Sequence, residues 1–328
     1  MILAGDIGGT KTVLALYRND KDNSLICKHE QTFPSGEYSE FDHILTKFIP
    51  ANIQITSACF GVAGPVVEQR CQTTNLPWTL DATELSSRLQ TTKVKLLNDL
   101  EAMALGMLHL KDDDLVELNT NAQPRTGNFA VIAAGTGLGQ AILYWDGQKH
   151  HAIATEGGHC DLAAQNEQQD MLLNYLRKRF NDHVSWERIL CGNGFSTLYE
   201  FLCEYDFASP CPVVPDTSEQ SLNGIDRNAI ISRLGVNDED PVCKEAVRLF
   251  VELYGAETGN LALKCLSTNG VFIGGGIGPK IRTALEDGTF LQAFTSKGRF
   301  TDLLGKMPIK LSLNPHTPLI GAANYFRK

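Results

Sequence analysis

The sequence lacks any Cys-x-x-Cys pair, any surplus of positive charge and any unbroken apolar run long enough to span a membrane. Its nine cysteines are scattered, and the closest two are Cys203 and Cys211. No zinc knuckle or dithiol redox motif is therefore written locally. Single cysteines in this pattern suit a reducing compartment, where they pack as small apolar side chains. Lys and Arg number 29 against 38 Asp and Glu, a formal net charge of −9. That balance argues against a surface built for nucleic acid or anionic lipid, because both depend on clustered cations. Met1-Ile2-Leu3-Ala4 is interrupted at once by Gly5 and Asp6, so no export leader is expected. The stretch Thr126–Trp145 carries no charge over 20 residues. Gly127, Gly135, Thr136, Gly137, Gly139 and Gln140 make it too polar and too breakable for a membrane span. The expectation is a cytoplasmic protein with a small-molecule ligand.

What is present is ordinary globular composition, with 43% hydrophobic and 20% charged residues over 328 positions. Such a chain is neither disordered, collagen-like nor coiled coil, and its length suits two domains with separate cores. Ile2–Asp6 and Thr12–Tyr17 read as strands joined by a Gly8-Gly9 hairpin turn. Further strands are expected at Ile53–Ala63, at Lys93–Leu97, and at Phe129–Ala134 with Gln140–Trp145 as its hairpin partner. Glu101–Leu110 reads as a helix, and Asp170–Phe180 and Phe195–Tyr205 show apolar residues at helical spacing. Ser185 is placed to cap a helix beginning at Trp186. Asp240-Pro241 pairs an N-cap with a first-turn proline and opens a helix running to about Leu266. Val271–Ile273 returns as a strand, and Ser209–Pro215 reads as a surface loop. Strands and helices alternate, which gives an α/β class.

Three glycine-rich loops each follow a strand. The first holds Gly5, Asp6, Ile7, Gly8, Gly9 and Thr10; the second Gly135, Thr136 and Gly137; the third Gly274, Gly275 and Gly276. Glycines permit positive φ and let a phosphate approach backbone N–H groups closely. Thr10 adds a hydroxyl, and Asp6 is placed to hold Mg²⁺ directly or through water. The first loop is no Walker A motif, since threonine precedes Lys11. It is no dinucleotide fingerprint either, because it leads into a strand. A bare hairpin turn is the plain alternative for the first two loops, and a strand-to-helix turn for the third. Three such loops together are what two half-sites closing on one nucleotide require.

The ordered set G-D-I-G-G-T-K-T, N-D, G-T-G-L-G, E-G-G-H, W-E-R-I-L-C-G-N-G, F-I-G-G-G-I and K-G-R-F resembles the bacterial glucokinase family, from residue 5 to about residue 300. The resemblance implies a two-domain actin-like ATPase (ribonuclease H-like) fold with the active site in the interdomain cleft. The small domain would be residues 1–110 plus 301–328, and the large domain 111–300. It implies ATP and Mg²⁺ as cofactors and ATP-dependent phosphorylation of D-glucose to glucose 6-phosphate. In that reading the first loop meets the β- and γ-phosphates, the second is the other phosphate segment, and the third lies by the adenosine.

Phosphorylating a hydroxyl calls for a carboxylate that takes its proton during in-line transfer. By resemblance Asp99 is that general base and, with Asn98, binds the sugar; an Asn-Asp helix cap is the structural alternative. Glu156 and His159, spaced across two flexible glycines, supply further sugar contacts. Glu187 closes the site by resemblance, although a carboxylate in a first helical turn is common for dipole reasons alone. The chain departs from the family in two places. Many relatives carry phenylalanine where Leu100 stands, which alters packing. The cysteine-rich zinc motif of the related sugar-binding repressors and kinases does not follow His159. The 209–236 stretch matches poorly and is given no role. A kinase for another hexose or a hexosamine remains the near alternative. A nucleotide-driven switch like actin or the chaperones is the distant one, and it would need no polyol site. The resemblance leaves a homodimer open.

Overall fold

The computed structural model describes residues 1–21, 24–73, 76–181, 183–217 and 224–327. The chain divides into two compact units. The first comprises Met1–Asp114, Asp146–Ala154 and Asn314–Lys328, and the second Leu115–Trp145 and Thr155–Leu313. The segment Thr301–Leu313 thus packs with the second unit, and the returning segment of the first begins at Asn314.

In the first unit β1 (Ile2–Ile7) and β2 (Lys11–Asn19) form the expected antiparallel hairpin, closed by Ile7 opposite Thr12. β3 (Leu25–Pro34) pairs with β2. β4 (Ser57–Val62) lies parallel to β1. It begins later than the sequence suggested, because Ile53–Thr56 does not join the ladder. β5 (Arg70–Gln72) and β6 (Thr79–Asp81) make a separate ribbon. β7 (Val94–Asn98) runs parallel to β4, so the sheet order is β3-β2-β1-β4-β7. Parallel pairing sets Ile7 opposite Val62 and Val62 opposite Asn98, which brings three strand ends to one edge of the sheet. In open α/β sheets, carboxyl strand ends are where ligands bind.

One face of this sheet buries Phe33, Phe41, Phe48, Phe60 and Trp78. Small residues dominate the other, where Ala4, Ala15 and Ala102 meet Leu319, Ala322 and Ala323. That face is covered by α3 (Asp99–Met107) and the helix Thr317–Asn324. The two helices approach closely because each has a glycine at the crossing. A Cβ at Gly106 would overlap the Thr317 carbonyl, and one at Gly321 the Ala102 carbonyl.

The second unit contains β8 (Leu115–Glu117), β9 (Phe129–Ala134), β10 (Leu138–Trp145), β12 (Gly270–Gly274) and β13 (Ile309–Ser312). β11 (His150–Thr155) falls mostly in the first unit's 146–154 segment. β9 and β10 form an antiparallel hairpin, and β12 is parallel to β9 and to β13. Thr126–Trp145 is therefore mostly a hairpin, and among the described residues no helix is long and apolar enough to cross a membrane. The long helix Pro241–Cys265 forms the centre of the core, with the Asp240 side chain accepting from Cys243 N at 2.9 Å. The expected cap at Ser185 is not made: Trp186–Arg188 is a single 3-10 turn without a side-chain cap. Trp186 is drawn into the core instead, at 1% exposure. Six of the nine free cysteines are buried. Within the 209–236 stretch, residues 218–223 lie outside those described, while Arg227–Val236 is helical.

Candidate active site

Asn98 ends β7 and caps α3, which begins at Asp99 and not at Glu101 as the sequence suggested. The Asn98 side chain accepts from Leu100 N at 3.0 Å and donates to Gly64 O at 3.2 Å. Glu101 stands three residues on, at capping-box spacing, where the backbone N–H of Asn98 acts on its carboxyl. Burial raises the Glu101 carboxyl, while Lys95 and that N–H lower it. The cap thus falls on Asn98. Asp99, in the first turn, accepts from Leu100 N at 2.9 Å. Its charge also acts on Cys71, whose thiol is raised first by burial and then by Asp99. Asp99 is therefore fixed at a rigid strand-to-helix joint whose end is set by another residue. Glu101 was missed in the sequence reading, although Asn-x-x-Glu is its signature.

The first glycine loop divides. Gly5 and Ile7 are paired strand residues, and a Cβ on Gly5 would crowd Phe60 at 2.6 Å. Both belong to the core and not to a turn. Gly8 closes the hairpin by donating to Lys11 O at 3.0 Å, so its amide is spent. The amides of Gly9 and Thr10 make no hydrogen bond among the described residues. The same holds for Thr136 and Gly137, whereas Gly135 N is bound to Gly137 O at 2.8 Å. It holds again for Gly275 and Gly276, while Gly274 is a buried strand residue. Each loop thus offers two consecutive free N–H groups, the arrangement that makes an anion-binding nest. The expected positive φ is found only at Gly275, at 83°. There a Cβ would also overlap the Ala134 carbonyl.

In the second unit the predicted sugar residues converge on the second glycine loop. Glu187 Oε2 accepts from Leu138 N at 2.9 Å, and its other oxygen stands 3.9 Å from His159 Nε2. Gly192 N donates to Gly135 O at 2.8 Å. The W-E-R-I-L-C-G-N-G segment is therefore laced to the G-T-G-L-G turn. Glu156 is exposed; its backbone carbonyl accepts from His159 N at 3.0 Å while its carboxylate has no hydrogen-bond partner among the described residues, and the His159 side chain is 61% exposed. Gly157 and Gly158 are not flexible spacers: a Cβ on Gly157 would overlap the Gln140 amide, and one on Gly158 the Leu138 carbonyl. They are glycine so that the turn Gly157–His159 can lie against β10.

A pocket joins the second and third loops. Thr136, Asn193, Asn228, Ile277 and Lys280 are among the residues lining it. Asn228 donates to Asn193 Oδ1 at 3.3 Å and accepts from Ser196 N at 3.0 Å. Asn193 lies in a segment the sequence reading quoted, but Asn228 and Lys280 carried no signal.

The glucokinase family model matches residues 3–328. A glucokinase of Nostoc sp. is 37% identical over 334 residues, covering 98% of each chain. The chain belongs to the glucokinase family. This makes it a sugar kinase of the two-domain actin-like ATPase fold. Among solved structures, glucokinase from an Antarctic psychrotroph superposes with a TM-score of 0.84 at 30% identity, covering 98% of this chain and 97% of that one. A ROK family glucokinase from Streptomyces griseus, solved in complex with glucose and AMPPNP, superposes with a TM-score of 0.64 at 17% identity, covering 99% and 98%. That second likeness carries the fold alone.

Asp6, expected from the sequence to hold a divalent cation, fits as a hard oxygen ligand. Its carboxylate makes no hydrogen bond among the described residues. Burial raises it, and only Lys11 acts in the other direction. An anion so poorly compensated is stabilised by a cation, and Mg²⁺ ordinarily takes one or two protein carboxylates with the rest of its shell from water and phosphate.

Proposed function

We propose that the protein transfers the γ-phosphoryl group of ATP to the 6-hydroxyl of D-glucose, giving glucose 6-phosphate and ADP in the cytoplasm. The observation that carries this reading is the placement of Asp99. It is an aspartate in a first helical turn whose capping duty is taken by Asn98, at the sheet edge that also ends in the Gly8–Thr10 turn. Asp99 is the general base: its carboxylate accepts the 6-hydroxyl proton as the oxygen attacks phosphorus. Asn98 keeps one amide hydrogen and one lone pair beyond its two structural bonds, enough to meet a neighbouring hydroxyl. Glu156, His159 and Glu187 bind the remaining hydroxyls, with Glu187 and His159 already adjacent.

The free amides of Gly9 and Thr10 and of Thr136 and Gly137 hold phosphate oxygens, and those of Gly275 and Gly276 lie by the adenosine. The Asn193–Asn228 pocket takes the nucleoside. Asp6 would hold Mg²⁺, directly or through water, and the ion would supply charge neutralisation on the phosphates. Membership of the glucokinase family supports both ligands. A panel of hexoses and hexosamines with ATP and Mg²⁺, scored by sugar-dependent ADP release, tests the proposal. Glucose should give the highest kcat/KM. A hexosamine preferred over glucose would replace the substrate, and ADP release independent of sugar would favour the nucleotide-switch reading.

A further inference from the structure

Glu257 lies in the middle of the long helix Pro241–Cys265 with 0% exposure, and the transfer reaction gives it no task. A carboxylate without solvent is costly unless its oxygens are paired. Both are: Gln140 Nε2 donates to Oε1 at 2.8 Å, and Asn260 Nδ2 donates to Oε2 at 3.0 Å. Lys297, from the otherwise unused K-G-R-F motif, is the nearby counter-charge. Burial lowers its ammonium and Glu257 acts to raise it. Its stem passes close to Gly259, where a Cβ would meet Lys297 Cε at 2.9 Å.

The polar chain leaves the core through Gln140, which is itself 1% exposed. The other end of the Gln140 amide abuts Gly157, so closely that any side chain there would overlap it. Its backbone carbonyl accepts from Thr155 Oγ1 at 2.9 Å, and that hydroxyl accepts from Gly157 N at 3.2 Å. Next in the chain come Gly158, packed on the Leu138 carbonyl, and His159, facing Glu187. Every residue in this path belongs to the second unit.

We propose that Glu257 and Gln140 form a buried polar strut that sets the position of the Gly157–His159 turn, making Gln140 and Glu257 positioning residues for sugar binding. The inference rests on the sugar-site reading of Glu156 and His159. Fully paired buried networks rigidify what they touch. The turn packs through Gly157 and Gly158 on Gln140 and Leu138, so the aim of its exposed imidazole depends on the surface beneath it.

The test compares Gln140→Met, Thr155→Val and His159→Ala, singly and with each of the first two in the His159→Ala background. Gln140→Met keeps length and removes the amide; Thr155→Val removes the bridging hydroxyl at a half-buried site and serves if the first variant folds poorly. Gln140→Met should raise glucose KM about tenfold and Thr155→Val about threefold, the scale of one or two hydrogen bonds. ATP KM should stay unchanged. Amide exchange in the peptide 155–160 should speed up in both variants. If the strut acts through the turn, neither substitution should raise glucose KM further once His159 is alanine. Additive effects in that background, or ATP KM rising in parallel, would overturn the strut while leaving the sugar site intact. An unchanged glucose KM in His159→Ala itself would remove the sugar-site reading, and the strut's function with it.

Discussion

The strands β2-β1-β4-β7 of the first unit and β10-β9-β12-β13 of the second follow one plan. Each has an antiparallel hairpin closed by a glycine-rich turn, then two strands parallel to the first of the hairpin. The two units use that plan differently. Both turns close on their own backbone, Gly8 N to Lys11 O in the first and Gly135 N to Gly137 O in the second. From outside, among the described residues, the first is held only by Ser35, whose N donates to Thr10 O at 3.1 Å and whose Oγ donates to Gly8 O at 2.8 Å, and the second by Glu187 and Gly192. The first turn can be altered without touching a predicted sugar ligand. A laced turn transmits changes to the residues that hold it, and here those include predicted sugar ligands.

The largest effect should come from Asp99→Asn. It keeps the size and the helix start, since Asn98 supplies the cap. It removes the basic oxygen, so kcat should fall by ~10²–10⁴-fold with folding and nucleotide binding retained. Single-turnover kinetics with a parallel nucleotide titration check this; turnover within a few-fold of the parent would strip Asp99 of the role. Next come two glycines that separate the turns. Gly275→Val meets both a φ of 83° and an overlap with Ala134, so it should destabilise the second unit by about 3 kcal/mol or more. Gly8→Val has only a 3.1 Å contact with Lys11 O, so it should fold and instead raise ATP KM. Thermal melts and ATP titrations of both variants distinguish the two cases, and equal stability loss would erase the contrast.

Glu187→Gln should be milder. Its amide oxygen can still accept from Leu138 N, but the carboxylate facing His159 is gone. Glucose KM should rise about tenfold while kcat changes less, the signature of an interaction shared by ground and transition states. A larger loss in kcat than in KM would show Glu187 acting on the transition state. The smallest effect concerns Asp6. Because burial raises its carboxyl above the ordinary 3.8, the native state holds that proton more tightly than the unfolded chain. Stability therefore falls as pH rises through the window between the two values and stays lower above it. Asp6→Asn should raise the Tm at neutral pH and flatten its pH dependence there, while weakening Mg²⁺-dependent turnover. A lowered Tm at pH 7 would contradict the burial argument.

Strand cores were legible because buried β-strands concentrate apolar residues: Phe129–Ala134 is read to the residue, and Val271–Ile273 falls inside Gly270–Gly274. The Asp240-Pro241 start was legible because capping chemistry is local. Ser185 looked equally like a cap and was not one, since burial of Trp186 overrode the local preference. Within the site, glycine was read as freedom of φ, yet Gly5, Gly157 and Gly158 are glycine because a neighbour occupies the space of a Cβ. Close approach is a tertiary fact with no local trace. The pairings of Gln140 with Glu257 and of Asn193 with Asn228 join distant segments, so spacing could not show them.

The crossing of α3 with the helix Thr317–Asn324 bears on how the molecule is made. Asp99 starts a helix whose inner face is covered by residues near the other end of the chain, through the close approach of Gly106 to Thr317 and of Gly321 to Ala102. During synthesis Asp99 leaves the ribosome early, but the surface beneath its helix stays bare until residue 321 has followed. The emerging polypeptide thus cannot finish the support of Asp99 until Gly321 has been made, and that late docking is the sort of long-range contact that slows folding.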